Sequence, residues 1–332
     1  MANLFSPLTI KHLTLKNRIV LPPMANNMSD DSGGVTDAHI KHYVRRAKAG
    51  VGMVIVEHAY IRRDGRMNDR QLGIYDDTLI PGLRRLAEAV KARDTVVGIQ
   101  ITHAGGKSTQ AAAGTQPAAP SDGLVPGGSE AARELTPAEI EAVVQAFVAA
   151  AHRAMAAGFD FVEVHGAHGY LLSQFLSPLA NRRADAYGGD LAGRLRLPVQ
   201  VVRAVRQAVG DDHLLLYRLG ASDFMPGGLT EAEGRQAAAD LAAAGVDLLD
   251  ISGGLNGSEP PGWDKVSQGY YVPMAAAIRA EAGIPVIVAG GITDPQFANR
   301  VVAAGQVDLV AIGRAMLADA DWAVQARQAI DK

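Results

Sequence analysis

Short, nearly continuous apolar runs alternate along this chain with longer stretches in which Ala, Leu and Val recur at helical spacing among Arg, Glu and Gln. Eight such runs stand at 18–24, 52–58, 96–103, 159–166, 214–220, 247–253, 285–291 and 309–314. Those reading VVGIQIT, LLLYRL, PVIVAG and DLVAIG lack polar alternation, as strands covered on both faces of a parallel sheet require. The helical stretches carry start signals. Thr136-Pro137-Ala138-Glu139 and Thr230-Glu231-Ala232-Glu233 are capping boxes, and Thr36-Asp37 and Asp294-Pro295 are further caps. Gly158, Gly210, Gly245, Gly283 and Gly305 follow as stops. Eight strands alternating with helices over this length predict a (β/α)8 TIM barrel, read as one domain over 1–332. A doubly wound open sheet would need a Gly-rich turn after its first strand; Gly50-Val51-Gly52 instead precedes a strand. Two pieces fall outside the alternation. Residues 4–15 read as a hairpin closing the barrel floor, and 104–135, rich in Gly, Ala, Pro and Ser, reads as a long loop of the lid or binding kind.

Composition narrows the chemistry. The 332 residues are 48% hydrophobic and 20% charged, enough for a large core. A formal charge of -3 gives no reason to expect nucleic acid or an anionic membrane as partner. With no cysteine, disulfides, iron-sulfur clusters and thiol nucleophiles are excluded. Residues 1–16 lack the apolar core of a signal peptide, and the apolar stretch at 142–159 is interrupted by Gln145, His152 and Arg153, so the expectation is a cytoplasmic protein.

Barrel chemistry gathers where strands end and helices have yet to begin. In this chain those places hold Ala25, Asn26 and Asn27; His58; Gln100 and His103; His165, His168 and Tyr170; Arg218; Ser252, Gly253 and Gly254; Gly290 and Gly291; Gly313 and Arg314. No lysine falls at a strand end, Lys107 and Lys265 being in loops, which argues against a Schiff-base aldolase. Gly290-Gly291 and Gly313-Arg314 put bare backbone before helix N-termini on the last two strands, the usual place for a phosphate. His165, His168 and Tyr170 can reach one mouth, with two readings. A metal pair would draw a third ligand from His58, His103 or Glu163; a hydrogen-bonding pair would hold a carbonyl oxygen, with the phenol as acid. Arg218 and Gln100 point inward; an interior arginine is costly unless it meets an anion or a charge developing during reaction, the alternative being a plain internal ion pair with Glu163. Phosphate site, interior cation, amide and His pair together fit flavin mononucleotide (FMN).

The residues then resemble the Old Yellow Enzyme ene-reductases, and are most similar to the bacterial YqjM-like, thermophilic-type branch. The resemblance runs from Leu4-Phe5-Ser6-Pro7-Leu8 to Ile312-Gly313-Arg314, with its most specific stretch from His165-Gly166-Ala167-His168-Gly169-Tyr170 through Ser177-Pro178 to Tyr187-Gly188-Gly189. It implies that Gln100 bonds the flavin pyrimidine edge and Arg218 stabilises the anionic reduced ring. Pro23, Met24 and Ala25 would line the ring, and Ser252, Gly253, Gly290, Gly291, Gly313 and Arg314 would surround the phosphate. His165 and His168 would grip the oxygen of a carbonyl or nitro group, hydride would pass from flavin N5 to the β-carbon, and Tyr170 would protonate the α-carbon. NAD(P)H is the implied reductant; the implied partner is a small unsaturated substrate, with self-association left open.

The chain departs from the family at four places. Ala25 replaces Cys or Thr, Asn27 in the substrate pocket replaces Tyr, Gly193 replaces Asn, and the chain stops at Lys332 before a tail whose Arg serves a neighbouring subunit. Two alternatives stand beside the ene-reductase: a metal-dependent hydrolase or lyase acting on a phosphorylated substrate, and a flavin-binding protein of low turnover.

Overall fold

A computed structural model describes residues 2–331. Met1 and Lys332, which bound the expected leaderless start and missing tail, lie outside the described residues. Eight parallel strands pair in sequence order and close on themselves. They are β1 (Ile19–Leu21), β2 (Met53–Tyr60), β3 (Val96–Thr102), β4 (Phe161–Gly166), β5 (Leu214–Gly220), β6 (Leu248–Ser252), β7 (Val286–Val288) and β8 (Leu309–Ala311). Closure comes where β8 meets β1, Val310 opposite Ile19 and Ala311 opposite Val20. The principal helices are α1 (Asp37–Lys48), α2 (Ile80–Lys91), α3 (Pro137–Ala156), α4 (Leu191–Val209), α5 (Glu231–Ala243), α6 (Val272–Ala282), α7 (Pro295–Ala303) and α8 (Trp322–Ile330). This is the expected (β/α)8 barrel.

Local sequence explains the element ends. Thr136 and Thr230 accept from the backbone of Glu139 and Glu233, whose carboxylates accept the cap residues' own N–H groups. Asp294 caps α7 by accepting from Gln296 and Phe297. Helix α2 buries Leu83, Leu86, Ala87 and Val90, the stripe that an amphipathic helix lays on a sheet.

The barrel interior has two levels. Its floor is an apolar plug of Val20, Met53, Ile55, Phe161, Leu214, Leu216, Leu248, Ile287 and Leu309. The hairpin of Leu8–Ile10 and Leu13–Leu15 adds Ile10 and Leu15 to the plug from below, as expected. Gly98 lies opposite Phe161 and makes room for its ring, since a Cβ there would stand 2.3 Å from it. Above the plug the inward residues are polar: Gln100 pairs in register with Glu163, His165 with Arg218, and Arg218 with Asp250.

Strand β2 breaks its alternation. Val56 pairs with Ile99 and Ala59 with Ile101, so three steps on β2 match two on β3 and one residue is extra. Met53 and Ile55 face the plug, and strict alternation would send Glu57 inward after them. Instead Glu57 turns to α1. Its Oε1 lies 3.1 Å from His39 Nε2, and its backbone N–H donates to Tyr43 Oη at 2.9 Å. The bulge therefore delivers His58, not Glu57, to the barrel mouth.

The segment at 104–135, read from sequence as a long loop, carries short elements of its own. It contains turns at Gly105–Lys107 and Gln110–Ala113, a two-residue parallel pairing of Ala118–Ala119 with Arg133–Glu134, and a bridge from Gly123 to Ala132. Arg183 Nη1 fastens both sides by donating to the carbonyls of Pro120 and Leu135 at 2.9 and 2.7 Å. Its order comes from this distant guanidinium, which no local periodicity reveals.

Gly234 in α5 tests the packing of helix against barrel. A Cβ there would stand 1.9 Å from the backbone oxygen of Ala221, just beyond β5. Helix propensity alone predicts a gain of about 1 kcal/mol for Gly234→Ala. The backbone contact reverses the sign, and we expect a loss of about 1–3 kcal/mol in chemical denaturation. A stabilised variant would show that α5 can slide outward freely.

Candidate active site at the barrel mouth

The site is built on a buried charge cluster. Arg218 on β5 lies with its Nε 3.2 Å from Asp250 Oδ2 on β6, both side chains almost wholly buried. The sequence offers Glu163 as the alternative, purely structural ion-pair partner of Arg218. The structure corrects this: Glu163 Oε1 instead accepts from Gln100 Nε2 at 2.7 Å. Asp250 is reached because β5 and β6 bring it level with Arg218, a register visible only after closure. Burial, with Asp250 nearby, pushes the Glu163 carboxyl well above the usual range, and burial raises that of Asp250 against the pull of Arg218. Gln100 Oε1 and His165 Nδ1 are buried without a hydrogen-bond partner among the described residues. Such atoms are costly unless a ligand meets them.

One wall of the mouth is aromatic. The His165 ring centroid is 5.2 Å from that of His168 and 4.9 Å from that of Tyr170, so these three converge as anticipated. His168 stands at φ 58° in the turn after β4, where its Nε2 lies 2.7 Å from Ser252 Oγ. Ser252, assigned from sequence to the phosphate, is thus also the partner of His168. Burial holds both imidazoles well below their ordinary pKa, helped by their mutual proximity for His165 and by Arg218 for both, so they are neutral. Burial pushes the Tyr170 phenol up to about 12, leaving it protonated. Lys107 was discounted as a loop residue, yet its Nζ donates to the His168 carbonyl at 2.7 Å and stands 6.0 Å from the centre of the Tyr170 ring. No group of three His, Asp or Glu side chains among the described residues is placed to hold a metal. His58, His103 and Glu163 do not complete the metal triad that sequence allowed.

A cavity of about 450 Å3 opens beside this wall, bounded by Pro22, Met24, Arg218, Ser252, Gly290, Gly291, Gly313 and Arg314. Gln100 is buried below and Ala25 and Asn27 are exposed at the rim, while Pro23 is buried and yields its place on the lining to Pro22. The glycines earn their positions sterically: a Cβ on Gly291 would stand 2.7 Å from Trp263, and one on Gly290 3.1 Å from the amide nitrogen of Tyr270. Gly253 is equally confined, 2.1 Å from the Gly257 oxygen by the same measure, and its carbonyl accepts from the His168 N–H. At the far end Arg314 and Lys265 both bond the carboxylate of Glu259, and Arg314 lies over Trp263, 4.4 Å from the ring centroid. Glu259, Trp263, Lys265 and Tyr270 come from the loop after β6 and carried no sequence signal. The α7 N-terminus expected to face an anion is already capped by Asp294, so anion binding at this rim falls to bare backbone and the two cations.

The architecture is that of the flavin-dependent (β/α)8 oxidoreductases. It matches an old yellow enzyme homologue from Zymomonas mobilis with TM-score 0.85 and 25% identity, over 99% of this chain and 92% of that one. It matches morphinone reductase with TM-score 0.87 and 28% identity, over 99% and 90%. Residues 3–332 match the model of the NADH:flavin oxidoreductase / NADH oxidase family, and the chain belongs to that family. It is 43% identical over 320 residues to an NADPH dehydrogenase of Geobacillus thermodenitrificans (strain NG80-2), covering 96% of this chain and 92% of the relative. It is 42% identical over 330 residues to an NADH oxidase of Thermoanaerobacter brockii, covering 98% of this chain but 51% of the relative, so it spans about half that protein's length. The cofactor is FMN with NAD(P)H as reductant, and the residues present fit it: the cations Lys265 and Arg314 stand at a rim where glycines leave backbone bare, and the unpartnered Oε1 of Gln100 lies below.

The charge cluster yields a pH-dependent prediction. A carboxyl raised in the folded state stabilises fully below its unfolded pKa of about 4.3 and loses that contribution as pH rises through the folded value. Glu163→Gln should therefore melt a few degrees above the parent at pH 8, with the gap closing toward pH 4. A gap constant across that range would mean that Glu163 is ionised in the fold.

Proposed function

We propose that this chain is an FMN-dependent ene-reductase that uses NAD(P)H to reduce alkenes activated by a carbonyl or nitro group. The observation that carries this reading is the convergence of two neutral imidazoles and a protonated phenol, His165, His168 and Tyr170, on one wall of the mouth. Gln100 and Arg218 would hold the flavin ring, Pro22, Met24 and Ala25 would run along it, and Ser252, Gly253, Gly290, Gly291, Gly313 and Arg314 would surround the phosphate. When bound, FMN supplies the hydride that the alkene receives.

The chain's own residues do the rest. A neutral imidazole donates one N–H, and two of them sharing a carbonyl or nitro oxygen draw electron density from the conjugated alkene. When the Ser252 hydroxyl donates to Nε2 of His168, that ring's proton sits on Nδ1, free for the substrate. Tyr170, kept protonated by burial, gives its proton to the α-carbon and regains one from solvent at the rim. The Arg218 guanidinium, only partly answered by Asp250, places positive charge where a reduced ring would be anionic. Asn27, exposed at φ 54°, sets an amide at the pocket edge where relatives resembling this chain carry a phenol.

The holoenzyme should be yellow, bleach with NAD(P)H under nitrogen and recover colour on adding cyclohexenone; a protein that takes up no FMN on reconstitution overturns the reading. Tyr170→Phe should slow reoxidation by the alkene about 100-fold or more in stopped flow while leaving the reductive half-reaction nearly intact. Equal slowing of both halves would remove the tyrosine's role as acid.

A further inference from the structure

A third imidazole faces the same wall. The His58 ring centroid is 5.4 Å from that of Tyr170 and 6.3 Å from that of His165, and the residue is 7% exposed. Gln71 fixes its tautomer. The Gln71 Oε1 accepts from the Met67 N–H at 2.7 Å, which settles the amide's orientation. Its Nε2 then donates to the His58 carbonyl at 2.9 Å and to His58 Nδ1 at 2.7 Å. An Nδ1 that accepts leaves the single proton of a neutral ring on Nε2. Neutrality follows from burial, which pushes the group down to about 4. No side chain among the described residues accepts from that Nε2–H.

The arrangement is built into the strand. The extra residue of β2 turns Glu57 out to His39 and Tyr43 and turns His58 in, so the bulge and its anchor on α1 select an imidazole for the mouth. A donor whose proton is fixed on Nε2, on a ring that faces the mouth, is set to meet an acceptor oxygen of whatever enters there.

We propose that His58 is a further substrate-binding residue, whose Nε2–H takes a second acceptor oxygen of the substrate, and that the site therefore prefers alkenes flanked by two carbonyl groups. His165 and His168, 5.2 Å apart, share one oxygen. His58, its ring centroid 6.3 Å from that of His165 and 5.4 Å from that of Tyr170, stands off from that shared oxygen and would meet the carbonyl at the opposite end of the alkene. The inference rests on the ene-reductase reading and narrows its substrate class to imides, enediones and unsaturated dicarboxyl compounds.

The test is ligand binding to the oxidised FMN holoenzyme, read from the perturbation of the flavin spectrum by maleimide, with two carbonyls, and by cyclohexenone, with one. The chain has no cysteine, so maleimide meets no thiol to alkylate. His58→Ala should weaken maleimide about tenfold more than cyclohexenone, the size of one lost hydrogen bond. His58→Gln, which retains an N–H donor, should recover most of that difference. His58→Phe fills the volume of the ring without a donor and should behave as the alanine variant, so poor folding of the latter does not decide the outcome. Equal weakening of the two ligands, or none, overturns the role of His58. Failure of the parent holoenzyme to bind either ligand instead overturns the ene-reductase reading.

Discussion

A guanidinium enclosed by eight strands and sealed below by a plug of Leu, Ile and Phe must be met by opposite charge within the ring. Arg218 is met by Asp250 on the neighbouring strand. Two buried carboxyls and one guanidinium cannot all be charged at little cost, and the second carboxyl, Glu163, resolves the conflict by leaning toward its protonated form against Gln100. The layer that carries the chemistry is thus held nearly neutral overall while its one permanent cation points at the mouth. The plug keeps water from reaching this layer from beneath, so the cation's field is spent on what enters from above.

On top of that layer the wall of rings is assembled by irregularities. His168 stands in a left-handed turn, and His58 reaches the mouth through an extra residue in its strand. A regular β2 would have turned a carboxylate inward close to Glu163 and Asp250, adding a third buried acid to a cluster that already has one too many. The bulge removes that acid to α1, where His39 meets it, and substitutes a ring that burial keeps uncharged.

Much of this was legible in the sequence because it is local. Strand runs, capping boxes and glycine stops each depend on a few consecutive residues, and so did the polar strand ends that held Gln100, His165, His168, Tyr170 and Arg218. What stayed hidden depends on closure or on loops. Asp250 became the arginine's partner through register between β5 and β6. Glu259, Trp263, Lys265 and Tyr270 reach the cavity from a stretch with no periodicity. The β2 bulge defeats alternation, the rule by which inward residues were chosen. The cap of α7 was read correctly at Asp294 and yet occupies the helix end that was offered to an anion.

The folded segment at 104–135 ties the barrel's periphery to its centre. Gly106 donates to Gln174, which in turn donates to the carbonyls of Ala104 and Gly169, and Lys107 holds the carbonyl of His168 itself. The imidazole is thereby braced from outside the strand that bears it. Exchanging this flap for that of another barrel would transplant pocket electronics together with pocket outline, and a library that randomised it for shape alone would be sampling the acidity of its neighbours as well.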